Sequence, residues 1–285
     1  MKDFTGRVAA ITGAGSGIGR ALAKELAGRG CHLALSDVDQ DGLAETVARC
    51  EGKGVKVTSQ PLDVADREAV IAWADRVVEE HGAVNLIFNN AGVAVVATVE
   101  GVPYDDFEWL MNINFWGVVH GTKAFLPHLK ASGEGHVVNL SSVFGLISVP
   151  SLAVYNAAKF AVRGFTDSLR MELEIERAPV SATTIHPGGI KTNIARRARV
   201  HGSAGAMGDG VQETFDRLAL TSPEKAAGQI LAAVAANRRR ALIGPDAKVI
   251  DLASRLPAGL YQSLLVRGAT RGPRRKKREG RATGP

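Results

Sequence analysis

Residues 12–19 read Thr-Gly-Ala-Gly-Ser-Gly-Ile-Gly and directly follow the apolar, β-branched run Arg7–Thr12. When a strand turns through glycines into a helix, unpaired N–H groups and the positive end of the helix face an incoming anion. The missing side chains also let the backbone approach a pyrophosphate closely. The stretch therefore predicts a dinucleotide-binding loop, although any tight strand-to-helix turn favours glycine.

Apolar, β-branched segments alternate with segments of helical periodicity on both sides of this loop, which is typical of parallel βαβ units. We expect strands at Arg7–Thr12, His32–Ser36, Lys56–Pro61, Leu86–Asn89, His136–Ser141, Ser181–His186 and Ala241–Gly244. Expected helices include Gly17–Ala27, Glu68–Glu80, Tyr104–Lys130, Ser151–Arg177 and Glu224–Ala236, the last capped by Ser222 before Pro223. These elements predict an α/β fold of the Rossmann type, a doubly wound, seven-stranded and mostly parallel sheet with helices on both faces.

No linker or internal repeat divides residues 1–245, so we expect them to form a single Rossmann-type domain. Residues 193–220 interrupt the alternation and predict a mobile lid or a loosely ordered insertion. Residues 246–266 carry apolar residues at helical spacing around Pro257-Ala258-Gly259, which predicts an amphipathic extension of two short helices. Residues 267–285 are rich in Gly, Pro and basic residues and are expected to be a disordered tail.

The chain has 285 residues, of which 45% are apolar and 22% charged, the proportions of a globular protein. No apolar run reaches the roughly eighteen residues that span a bilayer, and no signal-peptide core follows Met1, so we expect a cytoplasmic location. Cys31 and Cys50 are too few for a disulfide framework and lack the spacing of metal ligands. Neither disulfides nor a metal site is therefore expected.

The net charge of +6 is concentrated at the C-terminus. Residues 267–285 contain eight Lys or Arg and one Glu, a net charge of +7, which leaves −1 for residues 1–266. Because the predicted domain is close to neutral, we expect no nucleic-acid partner.

Asp37 stands at the end of the second predicted strand, 18 residues after Gly19. A carboxylate at this place accepts hydrogen bonds from the hydroxyls of an adenosine ribose and repels a 2′-phosphate. Neither Ser16 nor Val38 supplies a cation that would neutralise such a phosphate. We therefore expect NAD rather than NADP. The alternative is that Asp37 only begins a turn with Asp39 and Asp41.

Tyr155 and Lys159 are four residues apart in a predicted helix and share one face of it. A neighbouring ammonium favours the phenolate, so we expect Lys159 to lower the pKa of Tyr155 and prepare it for proton exchange with an alcohol or carbonyl oxygen. Ser142 follows a predicted strand at its carboxyl end, where its hydroxyl can hold that oxygen beside Tyr155. Ser141 is the competing candidate, and an isolated Tyr–Lys pair can also be an ordinary surface pair.

Several motifs now stand together: the glycine loop, Asn89-Asn90-Ala91-Gly92, Asn114, Ser142, Tyr155-Asn156-Ala157-Ala158-Lys159 and Pro187-Gly188-Gly189-Ile190-Lys191-Thr192. In this order and spacing the set resembles the classical short-chain dehydrogenases/reductases over about residues 5–245. The resemblance implies that Asn114, Ser142, Tyr155 and Lys159 are catalytic, with Asn114 positioning a water that links the lysine to solvent. Asn112 is a neighbouring alternative, and a mid-helix asparagine can also simply mark a kink.

The resemblance further implies the residues that contact the cofactor. They are Gly13, Ser16, Gly17, Ile18, Gly19, Asp37, Asp63, Val64, Asn90, Ala91, Gly92, Tyr155, Lys159, Pro187, Gly188, Ile190 and Thr192. Among them, Asp63 and Val64 would contact the adenine, and Lys159 would hydrogen-bond the nicotinamide ribose. Ile190 and Thr192 would anchor the carboxamide. His186 is expected to have no catalytic role.

The expected reaction is reversible hydride transfer between NAD and a secondary alcohol or ketone. Its substrate is expected to be hydrophobic, because the predicted wall consists of Val93, Val143, Phe144, Leu146, Val149 and part of the 193–220 segment. One alternative is a 3-oxoacyl-thioester reductase, in which Arg196, Arg197 and Arg199 would meet a carrier phosphate. Another is a membrane-associated or nucleic-acid-binding dinucleotide sensor.

Two partner predictions concern surfaces outside the site. The resemblance suggests a homodimer or homotetramer built on the helices at 104–130 and 151–177. The apolar residues of 247–266, with leucines at positions 252, 256, 260 and 264 beside the +7 segment, predict peripheral contact with an anionic membrane. The alternative is that these leucines pack over the substrate pocket or against a partner subunit.

Overall fold

Seven strands form the central sheet in the computed structural model, which describes residues 1–207, 213 and 219–270. They are β1 (Val8–Thr12), β2 (His32–Asp37), β3 (Val57–Pro61), β4 (Leu86–Asn89), β6 (Gly135–Leu140), β7 (Val180–Pro187) and β9 (Arg240–Ile243). The strand order is β3-β2-β1-β4-β6-β7-β9, and every neighbouring pair is parallel. The predicted seven-stranded Rossmann-type sheet is confirmed, with strand ends that differ by one residue at most.

Helices cover both faces of the sheet. They are α1 (Gly17–Gly28), α2 (Gln40–Cys50), α3 (Arg67–His81), α4 (Tyr104–Met111), α5 (Gly117–Ala131), α6 (Ala153–Ile175), α7 (Pro223–Ala235), α8 (Pro245–Ala253) and α9 (Ala258–Thr270). Ser222 caps α7 as predicted, since its Oγ accepts from the Lys225 N–H at 3.3 Å. The predicted helix 104–130 differs in one respect, because a π-helical turn at Asn112–Trp116 separates α4 from α5.

Two apolar layers hold these helices on the sheet. Leu22 and Leu26 of α1 pack with Ile230 of α7 on one face. On the other face, Trp73 of α3 meets Phe125 of α5 edge to face, with ring centroids 5.1 Å apart. Truncating such a buried leucine or aromatic residue to Ala costs about 2–5 kcal/mol. The carboxyl ends of the strands are therefore held on a rigid support.

A second, two-stranded sheet that the sequence did not predict joins β5 (Val95–Val96) to β8 (Arg199–Val200). It fixes the first part of the predicted 193–220 lid against the domain. Gly202–Met207 follow in 3₁₀ conformation, and residues 208–212 and 214–218 of the predicted lid lie outside the described residues.

The C-terminal extension forms the two predicted short helices, α8 and α9. Helix α9 continues to Thr270, four residues into the segment 267–285 that was expected to be disordered, and residues 271–285 lie outside the described part of the chain. Among the described helices, none is long and apolar enough to cross a bilayer.

Candidate active site

The predicted site residues gather at the carboxyl edge of the sheet, where β1 and β4 stand side by side and the strand order reverses direction. The loops after β1, β4, β6 and β7 all open onto this edge. In doubly wound sheets, such a reversal leaves a crevice that takes the ligand. The topology thus brings the sequence motifs together although they are up to 180 residues apart.

The glycine loop is closed tightly against the end of β4. Gly13 has φ +64, and a Cβ there would lie 2.8 Å from Ala91 Cα. A Cβ on Gly19 would lie 2.1 Å from the Gly13 carbonyl oxygen. The Asn90 amide also donates to the carbonyls of Thr12 and Gly13, so this side chain supports the loop from within. Neither glycine tolerates a side chain without moving the backbone.

Helix α1 begins at this loop with its N-terminus open. Ser16 is the N-cap residue, and its side chain makes no capping hydrogen bond. The first-turn N–H groups of α1 therefore remain available to a phosphate. Thr192 stands opposite, because a Cβ on Gly17 would lie 3.0 Å from its Cγ2. The loops after β1 and β7 thus form two sides of one groove.

Asp37 faces the same loop from the end of β2. Its carboxylate accepts the Gly15 N–H at 2.7 Å and the Asp39 N–H at 2.9 Å. A carboxylate has about four acceptor positions, so both oxygens can still accept from ribose hydroxyls. The two readings of Asp37 are therefore compatible, because it begins a turn with Asp39 and still presents a carboxylate to the groove.

Asp63 and Val64 follow β3 at the same end of the groove. Asp63 is exposed, whereas the Val64 side chain is buried against α5 at Gly117. The Val64 carbonyl lies 3.2 Å from His120 Nδ1. The Asp63 carboxylate accepts the Ala65 N–H at 2.9 Å and, because it is exposed, can still accept further hydrogen bonds.

Tyr155, Ser142 and Lys159 meet at the centre of the edge. Ser142 caps a 3₁₀ turn at Val143–Gly145, and its hydroxyl is hydrogen-bonded to Tyr155 in the first turn of α6. Lys159 is 4% exposed, lies with Nζ 5.6 Å from the Tyr155 ring centroid and donates to the Leu140 carbonyl at 2.9 Å. The structure thus brings these three candidate catalytic side chains together.

The pKa of Tyr155 differs from the sequence expectation. Burial raises it to about 12, and the hydrogen bond to Ser142 offsets only part of that rise. Burial also lowers the pKa of Lys159 to about 8. The expectation that Lys159 lowers the pKa of Tyr155 is therefore wrong, because desolvation of the phenol sets the direction of the shift and the opposing contribution comes from Ser142.

The structure also separates the neighbouring candidates. The Ser141 hydroxyl donates to the Lys159 carbonyl at 2.8 Å and so takes part in packing β6 on α6, whereas Ser142 reaches Tyr155. Asn112 is exposed and Asn114 is fully buried. The geometry thus favours Ser142 and Asn114 over Ser141 and Asn112.

Asn114 lies in the π-helical turn, and its side chain contacts the segment that follows β4. Its amide accepts from the Val93 N–H at 2.8 Å and donates to the Val93 carbonyl at 2.9 Å. A Cβ on Gly92 would lie 3.3 Å from Asn114 Oδ1 and 3.7 Å from Lys159 Nζ. π-Helical turns often occur at functional sites. Here the turn brings Asn114 and Gly92 beside Lys159.

Two residues that sequence reasoning did not assign to the site contact its backbone. His186, fully buried in β7, has Nδ1 2.8 Å from the Ser142 carbonyl, and burial lowers its pKa to about 4. Asp246 of α8 accepts the Gly189 N–H at 2.6 Å and thereby fixes the loop Pro187–Thr192. No local pattern marks either residue, because both contacts join segments that are distant in sequence.

The segment after this loop is attached to the domain by ion pairs. Arg197 reaches Asp39 at 2.8 Å, and Arg199 reaches Asp106 at 2.5 Å while its guanidinium lies 3.5 Å from the Trp109 ring centroid. His201 meets the second oxygen of Asp106 at 2.5 Å. These contacts hold residues 193–201 over the edge of the groove.

The apolar residues that the sequence proposed as the substrate wall are buried or half-buried, and two of them, Phe144 and Val93, lie in the surroundings of Tyr155. Val143 and Leu146 are buried, and Val93, Phe144 and Val149 are half-buried. The Phe144 ring stands edge-on to Tyr155, with centroids 6.3 Å apart. A hydroxyl or carbonyl that reaches Tyr155 therefore enters a mostly apolar setting.

Comparisons with known proteins agree with this geometry. A family model for short chain dehydrogenases matches residues 7–201. A Mycobacterium tuberculosis protein that bears the name oxidoreductase SadH is 52% identical over 275 residues, which are 95% of this chain and 98% of that protein. Estradiol 17-beta-dehydrogenase 11 of Pongo abelii is 36% identical over 196 residues, covering 68% of this chain and 65% of that protein.

A solved structure shares the fold over nearly its whole length. It is a short chain dehydrogenase/reductase from Burkholderia phymatum in complex with NAD, with a TM-score of 0.85 and 33% identity. The alignment covers 93% of this chain and 97% of that one.

Proposed function

Because this chain belongs to the short-chain dehydrogenase family of nicotinamide-dependent oxidoreductases, we propose that it transfers hydride reversibly between NAD and a hydrophobic secondary alcohol or ketone. The observation that carries this proposal is the contact between Ser142 and Tyr155 above buried Lys159, next to a groove that ends at Asp37.

The proton is handled by Tyr155. With its pKa near 12, the phenol stays protonated at neutral pH and can donate to a carbonyl oxygen as negative charge develops there. The Ser142 hydroxyl is placed to hold the same oxygen, and the buried Lys159 ammonium stabilises the phenolate that remains. When bound, the nicotinamide supplies or accepts the hydride. Alcohol oxidation is the same sequence in reverse.

The groove fits a dinucleotide along its length. The open N-terminus of α1 would receive the pyrophosphate, Asp37 the adenosine ribose, and Gly92 with Lys159 the nicotinamide ribose. Ile190 and Thr192 would hold the carboxamide end. Asp37 supports NAD over NADP, because a 2′-phosphate would face a carboxylate that already accepts two backbone hydrogen bonds.

A hydrophobic substrate is supported by the apolar residues around Tyr155. The name of the Pongo abelii relative, which includes estradiol, points to the same class of alcohol. The alternative of a 3-oxoacyl-thioester reductase is disfavoured, because Arg197 and Arg199 are paired with Asp39 and Asp106. A dinucleotide sensor would not need the Ser142–Tyr155 contact.

A homo-oligomer is also part of the proposal. The outer face of α6 exposes Phe160, Met171 and Ile175, which follow one another at helical spacing. Exposed apolar residues in such a row mark interfaces between proteins. A second copy of the chain packing helix against helix would cover them.

Steady-state kinetics test the proposed reaction. Secondary alcohols of increasing apolar size are offered with NAD or NADP, and the corresponding ketones with the reduced forms, while absorbance of the reduced nicotinamide is followed. We expect turnover with NAD that improves with apolar size. Turnover restricted to NADP, or to thioester substrates, would overturn the proposal.

A further inference from the structure

Helix α9 presents an apolar face that the described part of the chain does not cover. Leu260 and Leu264 are 49% and 58% exposed. Of the side chains described in α9, only Tyr261 is half-buried, and the others are exposed. At 100° per residue, Leu260, Tyr261, Leu264 and Leu265 share one side of the helix. Exposed apolar side chains are therefore concentrated on this side of the described part of α9.

Helix α8 joins this face to the domain at a fixed place. Ala247 and Asp251 are buried, and Asp251 pairs with Arg240 at 2.9 Å. The opposite side of α8 exposes Val249 and Leu252, each by 69%. Leu256, in the turn between the two helices, is exposed as well. We refer to Val249, Leu252, Leu256, Leu260, Leu264 and Leu265 as the C-terminal apolar strip.

Positive charge follows the strip directly. Residues 267–285 carry a net charge of +7, whereas residues 1–266 carry −1. An amphipathic helix and an adjacent basic segment are the two signals that together hold a protein on an anionic lipid surface. Either signal alone gives only weak, reversible attachment.

We propose that the C-terminal apolar strip and the basic segment 267–285 dock the protein peripherally on an anionic membrane. The leucines enter the boundary between headgroups and acyl chains, and the basic side chains meet the lipid phosphates. A second copy of this chain is a poorer occupant, because a two-fold contact through α9 would bring two +7 segments together. The positive charge next to the strip therefore favours an anionic membrane over a second copy of the chain.

The test is sedimentation of the full-length protein with phosphatidylcholine vesicles, with and without phosphatidylglycerol, at low and high salt. We expect binding at least about tenfold stronger to the anionic vesicles at low salt, since each basic residue near the surface contributes up to about fivefold. High salt should remove most of that difference.

Two variants separate the two signals. Leu260→Glu with Leu264→Glu adds charge to the strip. The second variant removes four basic residues and combines Arg274→Ser, Arg275→Ser, Lys276→Ser and Lys277→Ser. Each of these two variants should weaken binding to the anionic vesicles at least about tenfold. Ile71→Glu with Val99→Glu makes the same chemical change at two exposed positions elsewhere and should leave binding unchanged. Because the four substituted apolar residues are all exposed, folding should be unaffected. Leu264→Ser tests the strip with a milder substitution.

Three results would overturn the proposal. The first is wild-type protein that does not bind anionic vesicles. The second is a strip variant that binds as well as wild type, which would leave only non-specific attraction of the basic segment. The third is a strip variant whose oligomeric mass falls in light scattering while vesicle binding persists, which would assign the strip to a second copy of the chain. Turnover of the same samples reports separately on the proposed reaction.

Discussion

Lys159 Nζ lies 5.6 Å from the Tyr155 ring centroid while it donates to the Leu140 carbonyl. The ammonium is thus held close enough to influence the phenol and is tied to the end of β6. Its pKa of about 8, lowered by burial, places its titration in an accessible pH range, whereas Tyr155, near 12, stays protonated throughout that range.

This pair predicts a pH profile for carbonyl reduction. The ammonium is present below its pKa and stabilises the phenolate left after proton donation, so kcat/KM should fall as pH rises through about 8. The measurement is kcat/KM for a ketone with the reduced cofactor between pH 6 and about 10. A profile that stays flat across pH 8 would show that Lys159 does not titrate there.

Removing the charge of Asp37 should change the choice of cofactor. Asp37→Asn takes away the repulsion of a 2′-phosphate, so the ratio of kcat/KM for NADP to that for NAD should rise at least about tenfold. NAD should also bind less tightly, because an amide cannot accept from both Gly15 and Asp39. Asp41→Asn, an equal charge change on exposed α2, is the control. A wild type that already prefers NADP would refute the role given to Asp37.

The position of residues 193–201, which follow β7, should depend on Asp106, because its carboxylate contacts both Arg199 and His201. Asp106→Asn removes the partly exposed ion pair to Arg199 and weakens the contact with His201, so KM for a large apolar substrate should rise about three- to tenfold with little change in the Kd of NADH. Asp105→Asn, at the neighbouring exposed position, is the matched control. Equal KM values in the two variants would show that this anchor does not shape the substrate site.

Buried histidines should make the fold sensitive to acid. Burial lowers the pKa of His136 to about 3 and that of His186 to about 4, both below the ordinary value of 6.5. The unfolded chain therefore binds more protons than the folded one between pH 6.5 and 4, so stability is lost as pH falls through this window. Each histidine contributes a slope of at most about 1.4 kcal/mol per pH unit.

Urea unfolding of His186→Gln across this range checks the assignment. The variant should show a shallower dependence of unfolding free energy on pH, since one of the two neutral histidines is gone. An unchanged slope would mean that His186 is not held neutral. Because His186 also contacts the Ser142 carbonyl, kcat of the variant should fall at neutral pH even where it is fully folded.

Local sequence rules predict some features of the fold and of the site and miss others, for physical reasons. The strands and the turn at Gly13 follow from local rules, namely burial on both faces of a parallel sheet and a backbone with positive φ. The π-helical turn at Asn112–Trp116 has no such local signal. Within it the Asn114 side chain meets Val93, a contact across 21 residues that local rules do not reveal.

The site shows the same division. Spacing placed Tyr155 and Lys159 on one helix face, but the direction of the Tyr155 pKa shift depends on how much water the fold removes from the phenol. The contacts of His186 with Ser142 and of Asp246 with Gly189 join β7, β6 and α8, which meet only in the folded sheet. Sequence patterns identify the side chains of the site, and tertiary packing decides their protonation states and the contacts that hold them in place.

The most direct measurement is hydride transfer by Tyr155→Phe, with NADH binding followed in parallel by fluorescence titration. The substitution removes only the hydroxyl that Ser142 contacts, so turnover should fall at least about 100-fold while the Kd of NADH changes less than about twofold. Lys159→Ala should impair both quantities, because Lys159 Nζ also lies beside Gly92, where we propose that the nicotinamide ribose binds. A Phe variant that keeps more than about a tenth of the wild-type rate would show that Tyr155 is not the proton donor.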